Sequence, residues 1–244
     1  MEQRREDICV IVPTYNNAGT LKDVLTRVLA QGLPVIVVND GCTDGTAALL
    51  AEAALPVTVL THERNRGKGI ALRTGLDHAR KAGFRYAITL DADGQHYPVD
   101  LPRFLEAIDG HHGALVLGSR DLTAENMPGG NTFANRFSNF WFRLQTGKRI
   151  PDTQTGYRAY PLDKLPNLRL LTARYEAELT LLVFSAWKGV ELVPVPIRVC
   201  YPEDRVSSFR PFRDFFRISV LNTFLCILAL LYGYPRMLLS KLKR

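Results

Sequence analysis

"YAITLDADGQH", Tyr86–His96, runs from an apolar segment directly into two carboxylates, Asp91 and Asp93, separated only by Ala92. A short apolar run that ends on a polar turn reads as a buried strand, and ligands of open α/β sheets gather at the carboxyl ends of such strands. Side chains alternate along a strand, so extended backbone through Ala92 would point Asp91 and Asp93 the same way. Two ionised carboxylates this close repel, and one is driven to protonate unless a cation lies beside them. A hard divalent ion, Mg²⁺ or Mn²⁺, removes that conflict and keeps positions open for phosphate oxygens, with Gln95 as a neutral oxygen ligand or a partner through water. Taken alone, the stretch reads equally as a solvated Asp-rich turn, and His96 as a cap or a rim-packing group rather than a further ligand.

Outward from this stretch, the runs "ICVIV", "PVIVVN", "PVTVLT" and "ALVLGS" alternate with amphipathic segments such as "TLKDVLTRVLAQG" and "KGIALRTGLDHARKAG". That alternation predicts an α/β fold with a parallel sheet flanked by helices. The strand ends supply "PTYNN", "DGCTDGT", "HERNRGKG", "DADGQH" and "RDL", so five polar loops converge on one rim. "DGCTDGT" brings Asp40 and Asp44 among small residues that let a flat base approach the backbone, and Asp44 doubles as an N-cap candidate. "NRGKG" brings glycine-permitted close approach and Lys68, a cation for phosphate or base. Each loop alone reads as a turn with a helix cap; together they describe a pocket for a nucleotide diphosphate and a metal. Beyond Gly130 follow a helix candidate around Phe133 to Leu144, an irregular "DTQTGYRAYPL", a helix through "EAELTLLVFSAWKG" and a strand "VELVPVPIRV". With no internal repeat or low-complexity linker, residues 1–207 read as one catalytic domain and 208–244 as a separate tail.

Of 244 residues, 46% are hydrophobic and 23% charged, which suits one sizeable core and excludes a disordered chain. Cys9, Cys42, Cys200 and Cys226 lack metal-ligand spacing and read as reduced thiols. The N-terminal "MEQRREDICVIVPTY" has no signal-like apolar stretch, so the catalytic part is expected in the cytoplasm. From Arg198 onward nine basic residues face three acidic ones, which locates six of the seven net positive charges there. They flank the uncharged "ISVLNTFLCILALLYGYP", Ile218 to Pro235, a pattern for a membrane surface rather than for nucleic acid. Its 18 residues fall slightly short of the ~20 of a spanning helix, and the cations on both sides favour an in-plane or re-entrant helix over a single span. A core or oligomer helix is the alternative reading, which leaves a homo-oligomer open. The aromatic group "FSNFWF" reads as core or interface packing, or as a groove for an acceptor lipid.

The ordered set "VPTYNN", "VVNDGCTDGT", "ERNRGKGIALRTG", "LDADGQH", "LGSRD", "DTQTGYRAY" and "VPIRVCYPEDRVSSF" resembles the family 2 glycosyltransferases of the GT-A fold, and within them the polyprenyl-phosphate mannosyl and glucosyl transferases. The resemblance implies a Rossmann-like, mixed but mostly parallel sheet. It implies that Pro13, Tyr15 and Asp40 hold the nucleotide, joined at the rim by Lys68 and Ala92. Asp91 and Asp93 with Gln95 would bind metal and diphosphate, and Arg120 would attend the phosphates. Arg158, and Arg205 with Ser207 and Ser208, would lie near the acceptor phosphate. Asn17 stands where the family usually has glutamate, and Asn39 where many relatives have a first aspartate.

The implied partners are a nucleotide sugar of the GDP-mannose or UDP-glucose type and a polyprenyl phosphate or other lipid acceptor at the cytoplasmic membrane face. A lipid phosphate is already anionic, so its inverting attack needs electrostatic help rather than a base. Glu176 and Glu178 fall where relatives carry acidic residues beside the acceptor; they read as sugar-orienting groups, as a base for a glycolipid hydroxyl, or as surface carboxylates. Two readings from other classes compete: a haloacid dehalogenase-type phosphatase, whose nucleophile "AITLDADG" imitates, and a non-catalytic membrane scaffold.

Overall fold

The computed structural model describes residues 5–121, 129–168, 172, 174, 176–200 and 211–242. The strands are β1 (Ile8–Thr14), β2 (Val35–Asn39), β3 (Val57–Thr61), β4 (Tyr86–Thr89), β5 (Leu115–Arg120), β6 (Arg158–Pro161) and β7 (Leu192–Ile197). They form one sheet in the order β3-β2-β1-β4-β6-β5-β7, in which β6 runs antiparallel to both neighbours and every other pairing is parallel. Strands covered on both faces read as unbroken apolar runs, and β2 and β4 are buried along their whole length.

Helices α1 (Ala18–Leu29), α2 (Thr46–Glu52), α3 (Lys68–Lys81), α4 (Leu101–Gly110), α5 (Gly129–Thr146), α6 (Glu176–Trp187), α7 (Pro211–Leu228) and α8 (Tyr234–Leu242) surround the sheet. One core joins Val10, Val12, Val37 and Ile88 to Leu21 and Val24 of α1 and Phe104 and Ile108 of α4. The other joins Ile11 and Val38 to Leu72 and Leu76 of α3 and Leu181, Val183 and Trp187 of α6. Nine of the twelve α6 residues are buried, because α6 lies between the sheet and the outer helices and has little polar face to show.

Two expectations are corrected here. "DTQTGYRAYPL" is not wholly irregular: Tyr157 and Ala159 enter one core while Tyr160 and Leu162 enter the other, the period-two alternation of a strand, and β6 forms there. β4 stops at Thr89, where its pairing with β1 and β6 ends, so the backbone is not extended through Ala92. The chain turns instead, with Gly94 at φ +76°, a conformation suited to glycine.

The tail continues from α7 through a π-helical turn, Ala229–Gly233, into α8. Asn222, Leu225, Ala229 and Gly233 are buried, whereas Val220, Phe224, Ile227, Leu230, Leu231, Leu238 and Leu239 face outward. By length and composition alone Ile218–Leu239, with mean hydropathy 1.6, is apolar enough to cross a membrane.

Candidate active site

The N-terminus of α3 approaches the chain before α6 so closely that a Cβ on Gly69 would lie 2.2 Å from the Thr172 carbonyl and 2.6 Å from Ala177 Cβ. That approach delivers Lys68 to two carboxylates: its Nζ lies 2.7 Å from Asp91 Oδ1 and 3.3 Å from Glu178 Oε2. Gly156 leaves room for the cluster, since a Cβ there would sit 2.7 Å from Asp91 Oδ2 and 3.1 Å from Lys68 Nζ. Burial opposes the charge on Lys68, but Asp91 and Glu178 more than offset it and hold its pKa above the ordinary lysine range. Burial likewise opposes the Asp91 charge, and Lys68 prevails, so Asp91 stays below its ordinary value. For Glu178 burial wins and the pKa rises. The cation beside Asp91 is therefore a lysine of the chain itself.

Asp93 has a different partner: its Oδ1 accepts the Gln95 N–H at 3.0 Å and closes the turn. The Ala92 carbonyl accepts the Thr20 hydroxyl at 2.7 Å. His96 is buried beside Tyr157, with Nδ1 unpartnered, and burial lowers its pKa to about 4. Its backbone pairs with Val199, and Cys200 N–H donates to the Gln95 carbonyl at 2.9 Å. This joins the DADGQH loop to the chain entering residues 201–210. Arg205, Ser207 and Ser208 lie there, outside the described residues.

At the end of β2, buried Asp40 is occupied by the chain. Its Oδ1 accepts Arg66 N–H at 3.0 Å and lies 2.7 Å from His62 Nδ1, and its Oδ2 accepts Gly67 N–H at 2.8 Å. Asp40 thus fastens the 62–67 loop, which passes so close to Gly41 (φ +67°) that a Cβ would lie 2.3 Å from the Arg64 carbonyl carbon. Sequence reading missed His62; its position in the loop after β3 was the available signal. Pro13 pairs in register with Val38, and Tyr15 stands at the rim with 44% of its surface exposed. Asp44 does not occupy the N-cap of α2, which falls on Gly45; it accepts from Thr46 N–H at 3.0 Å and from Ala18 N–H, at the start of α1, at 3.1 Å.

Arg120, at the end of β5, donates Nε to Asp152 Oδ2 at 2.6 Å and Nη2 to Oδ1 at 3.0 Å, a bidentate pair whose carboxylate is wholly buried. Burial raises the Asp152 pKa, but Arg120 outweighs it and the carboxyl is held below its ordinary range. The "DTQTG" motif in sequence gives Asp152 no role, and only the fold reveals its partner. Arg158 is fully buried, and its guanidinium donates to three backbone carbonyls: Thr155 at 2.8 Å, Thr153 at 2.8 Å and Glu178 at 2.7 Å. It ties the 153–155 loop to α6.

Among the described residues no group of three or more His, Cys, Asp and Glu side chains is arranged to hold a metal ion. The donor set at the β4 turn still fits Mg²⁺ or Mn²⁺, because such ions take one or two carboxylates and complete their shell with substrate phosphates and water. Asp93, partly buried, and Asp91, beside it in sequence, are hard oxygen donors of that kind.

A mostly parallel sheet with one reversed strand, and a carboxylate turn at the end of a central strand, defines a GT-A-type glycosyltransferase domain. The chain belongs to glycosyl transferase family 2, whose profile matches residues 9–163. It is 34% identical over 214 residues to the polyprenol monophosphomannose synthase of Mycolicibacterium smegmatis, covering 82% of this chain and 79% of that protein. It is 32% identical over 202 residues to the undecaprenyl-phosphate mannosyltransferase of Micrococcus luteus, covering 78% and 82%. It is 29% identical over 240 residues to the UDP-N-acetylglucosamine–dolichyl-phosphate N-acetylglucosaminyltransferase of Methanococcus voltae, covering 88% and 96%. In fold it is similar to mannosyl-3-phosphoglycerate synthase from Rubrobacter xylanophilus, with a TM-score of 0.63 at 17% identity over 98% of this chain and 76% of that one. Family membership sets aside the phosphatase and scaffold readings.

Proposed function

We propose that this glycosyltransferase moves a hexose from a nucleotide sugar, of the GDP-mannose or UDP-glucose type, to a polyprenyl phosphate at the cytoplasmic face of a membrane, with inversion. The observation that carries this reading is the match over about four-fifths of the chain to relatives whose names share a polyprenyl phosphate acceptor. Two of those names also specify mannose, which favours a mannosyl donor.

The acceptor phosphate, anionic at neutral pH, attacks the anomeric carbon while the bond to the nucleoside diphosphate breaks, and no proton need leave the nucleophile. The chain's task is then to hold charge and geometry. Tyr15, with Pro13 and Ala92, receives the nucleoside, its half-exposed ring suited to stacking on a base, while Asp40 serves the same pocket by fastening the 62–67 loop. Arg120, aimed by Asp152, faces the phosphates from the end of β5, and Lys68 orients Asp91. Arg158 keeps the 153–155 loop rigid from beneath, and Arg205, Ser207 and Ser208 receive the acceptor phosphate. Asp93, with Asp91 and Gln95, would hold Mg²⁺ or Mn²⁺, which when bound supplies positive charge to the departing diphosphate.

One observation favours a hydroxyl acceptor as the second reading. Glu178, close to Lys68 and raised in pKa by burial, has the character of a general base for a glycolipid alcohol. Incubation with GDP-mannose or UDP-glucose, Mn²⁺ and either a polyprenyl phosphate or a glycolipid decides between them. Organic-soluble sugar formed only with the phosphate is the expected result, and product formed only with the alcohol would overturn it.

A further inference from the structure

Two helices carry outward apolar rows that the catalytic reading does not use. On α5, Phe133, Phe140 and Leu144 are 69%, 60% and 49% exposed, on the side opposite the buried Asn135, Ser138, Phe142 and Gln145. Along α7 and the turn that follows, Val220, Phe224, Ile227 and Leu231 repeat at i, i+4, i+7 and i+11 and are all more than half exposed. The two helices touch: Gln145 Nε2 donates to Asn222 Oδ1 at 3.0 Å, and the Tyr234 hydroxyl donates to the Leu144 carbonyl at 2.6 Å.

We propose that α5 and the α7–α8 helix together form one membrane-embedded face, on which the domain sits with the tail lying in the plane of the bilayer instead of crossing it. The inference rests on the lipid-acceptor reading above. Crossing is disfavoured by attachment. Asn222 and Tyr234 both bond to α5, and Gly233 packs so tightly on Trp187 that a Cβ would lie 2.5 Å from the indole. Twelve residues of helix, about 18 Å at 1.5 Å each, are thereby fixed along the side of the catalytic domain. A hydrocarbon core about 30 Å thick must meet only lipid-compatible surface, which a helix so attached cannot offer on its inner side.

Charge identifies the occupant. Residues 129–150 and 211–242 contain Arg136, Arg143, Lys148, Arg149, Arg213, Arg217, Arg236 and Lys241 against a single acidic residue, Asp214. Arg136, Arg143, Arg149 and Arg236 are exposed. Apolar rows bordered by eight cations and one carboxylate complement an anionic lipid surface; two copies of this chain would set cation against cation.

The test attaches an environment-sensitive fluorophore through cysteine, one site at a time, at Phe140, Val220, Leu231 and Leu238 of the full chain. Cys42, Cys200 and Cys226 are replaced by serine, Cys9 being fully buried. Vesicles of phosphatidylglycerol and phosphatidylcholine carry a nitroxide either near the headgroup or deep in the acyl chain. All four positions are expected to be quenched more by the shallow nitroxide. Vesicle affinity is expected to fall at least about tenfold in pure phosphatidylcholine, and similarly in F140D combined with L231D, since each removes more than about 1.4 kcal/mol of binding. Strongest deep quenching at Leu231 would mean a crossing helix, and no quenching at Phe140 would remove α5 from the face. A dimer abolished by F140D, without lipid binding, would assign the surface to a second copy. Each of these outcomes overturns the proposal. Turnover of a short-chain, water-soluble prenyl phosphate, measured on the same proteins, tests the transfer reaction separately.

Discussion

Lys68 and Asp91 form an ion pair of 2.7 Å that links the first turn of α3 to the end of β4, with Glu178 of α6 on its far side. Removing the lysine would leave two carboxylates facing each other. The side chains of Lys68 and Asp91 keep 20% and 25% exposure, which tempers the loss. Lys68→Met is expected to cost about 1–3 kcal/mol, and adding Asp91→Asn to restore part of it. Thermal unfolding of the two variants checks this; an unchanged Tm in Lys68→Met would contradict it.

Asp93→Ala removes an acceptor-only carboxylate whose Oδ1 closes the turn to Gln95. Stability is expected to change by about 1 kcal/mol. Turnover is expected to fall by at least about 10²-fold, because the lost carboxylate would have held the cation that offsets the charge of the departing diphosphate. Near-normal turnover in a steady-state assay would reduce the motif to a structural turn.

Asp152 is wholly buried and depends on Arg120 for its charge, so Asp152→Asn leaves the guanidinium uncompensated. A loss of about 3 kcal/mol is expected, together with weaker donor binding as Arg120 loses its aim. The folded-state pKa of Asp152 lies below its ordinary value, so the pair's contribution is full above the unfolded carboxylate range. It fades as pH falls below about 4 toward the folded pKa. Denaturant titrations across this acid range should therefore slope more steeply in the parent than in Asp152→Asn; equal slopes would exclude the linkage.

Gly156→Ala would place a methyl group 2.7 Å from Asp91 Oδ2 and 3.1 Å from Lys68 Nζ. The pair must shift, and displacement of an active-site group by even 1 Å costs about 10²-fold. Turnover should drop by roughly that factor while circular dichroism reports an intact fold. Full activity would show that the pair tolerates displacement.

Much of the architecture was legible because its signals are local. Apolar runs bounded by polar loops marked β1 to β5 and β7, and helical spacing marked α1, α3, α5 and α6. β6 escaped because four residues, one of them an arginine, offer little apolar pattern. The strand is specified by its neighbours in the sheet and by the carbonyls that satisfy Arg158, two from the preceding loop and one, that of Glu178, from α6. The site followed the same division. That Asp40, Lys68, Asp91 and Arg120 sit at strand ends could be read from sequence. That Lys68, His62 and Asp152 are their partners required the loops to be brought together, since each pair is separated by more than twenty residues.

Because β6 runs against its neighbours, the loop before it reaches the rim from the opposite chain direction to the loops that leave β1, β2, β4 and β5. Residues 147–157 thus bring to the rim both the carboxylate that pairs with Arg120 and the glycine that leaves room for Asp91 and Lys68. A single inverted strand interlocks the two sides of the rim, so that a change in the incoming loop calls for a matching change in the outgoing loops that it touches.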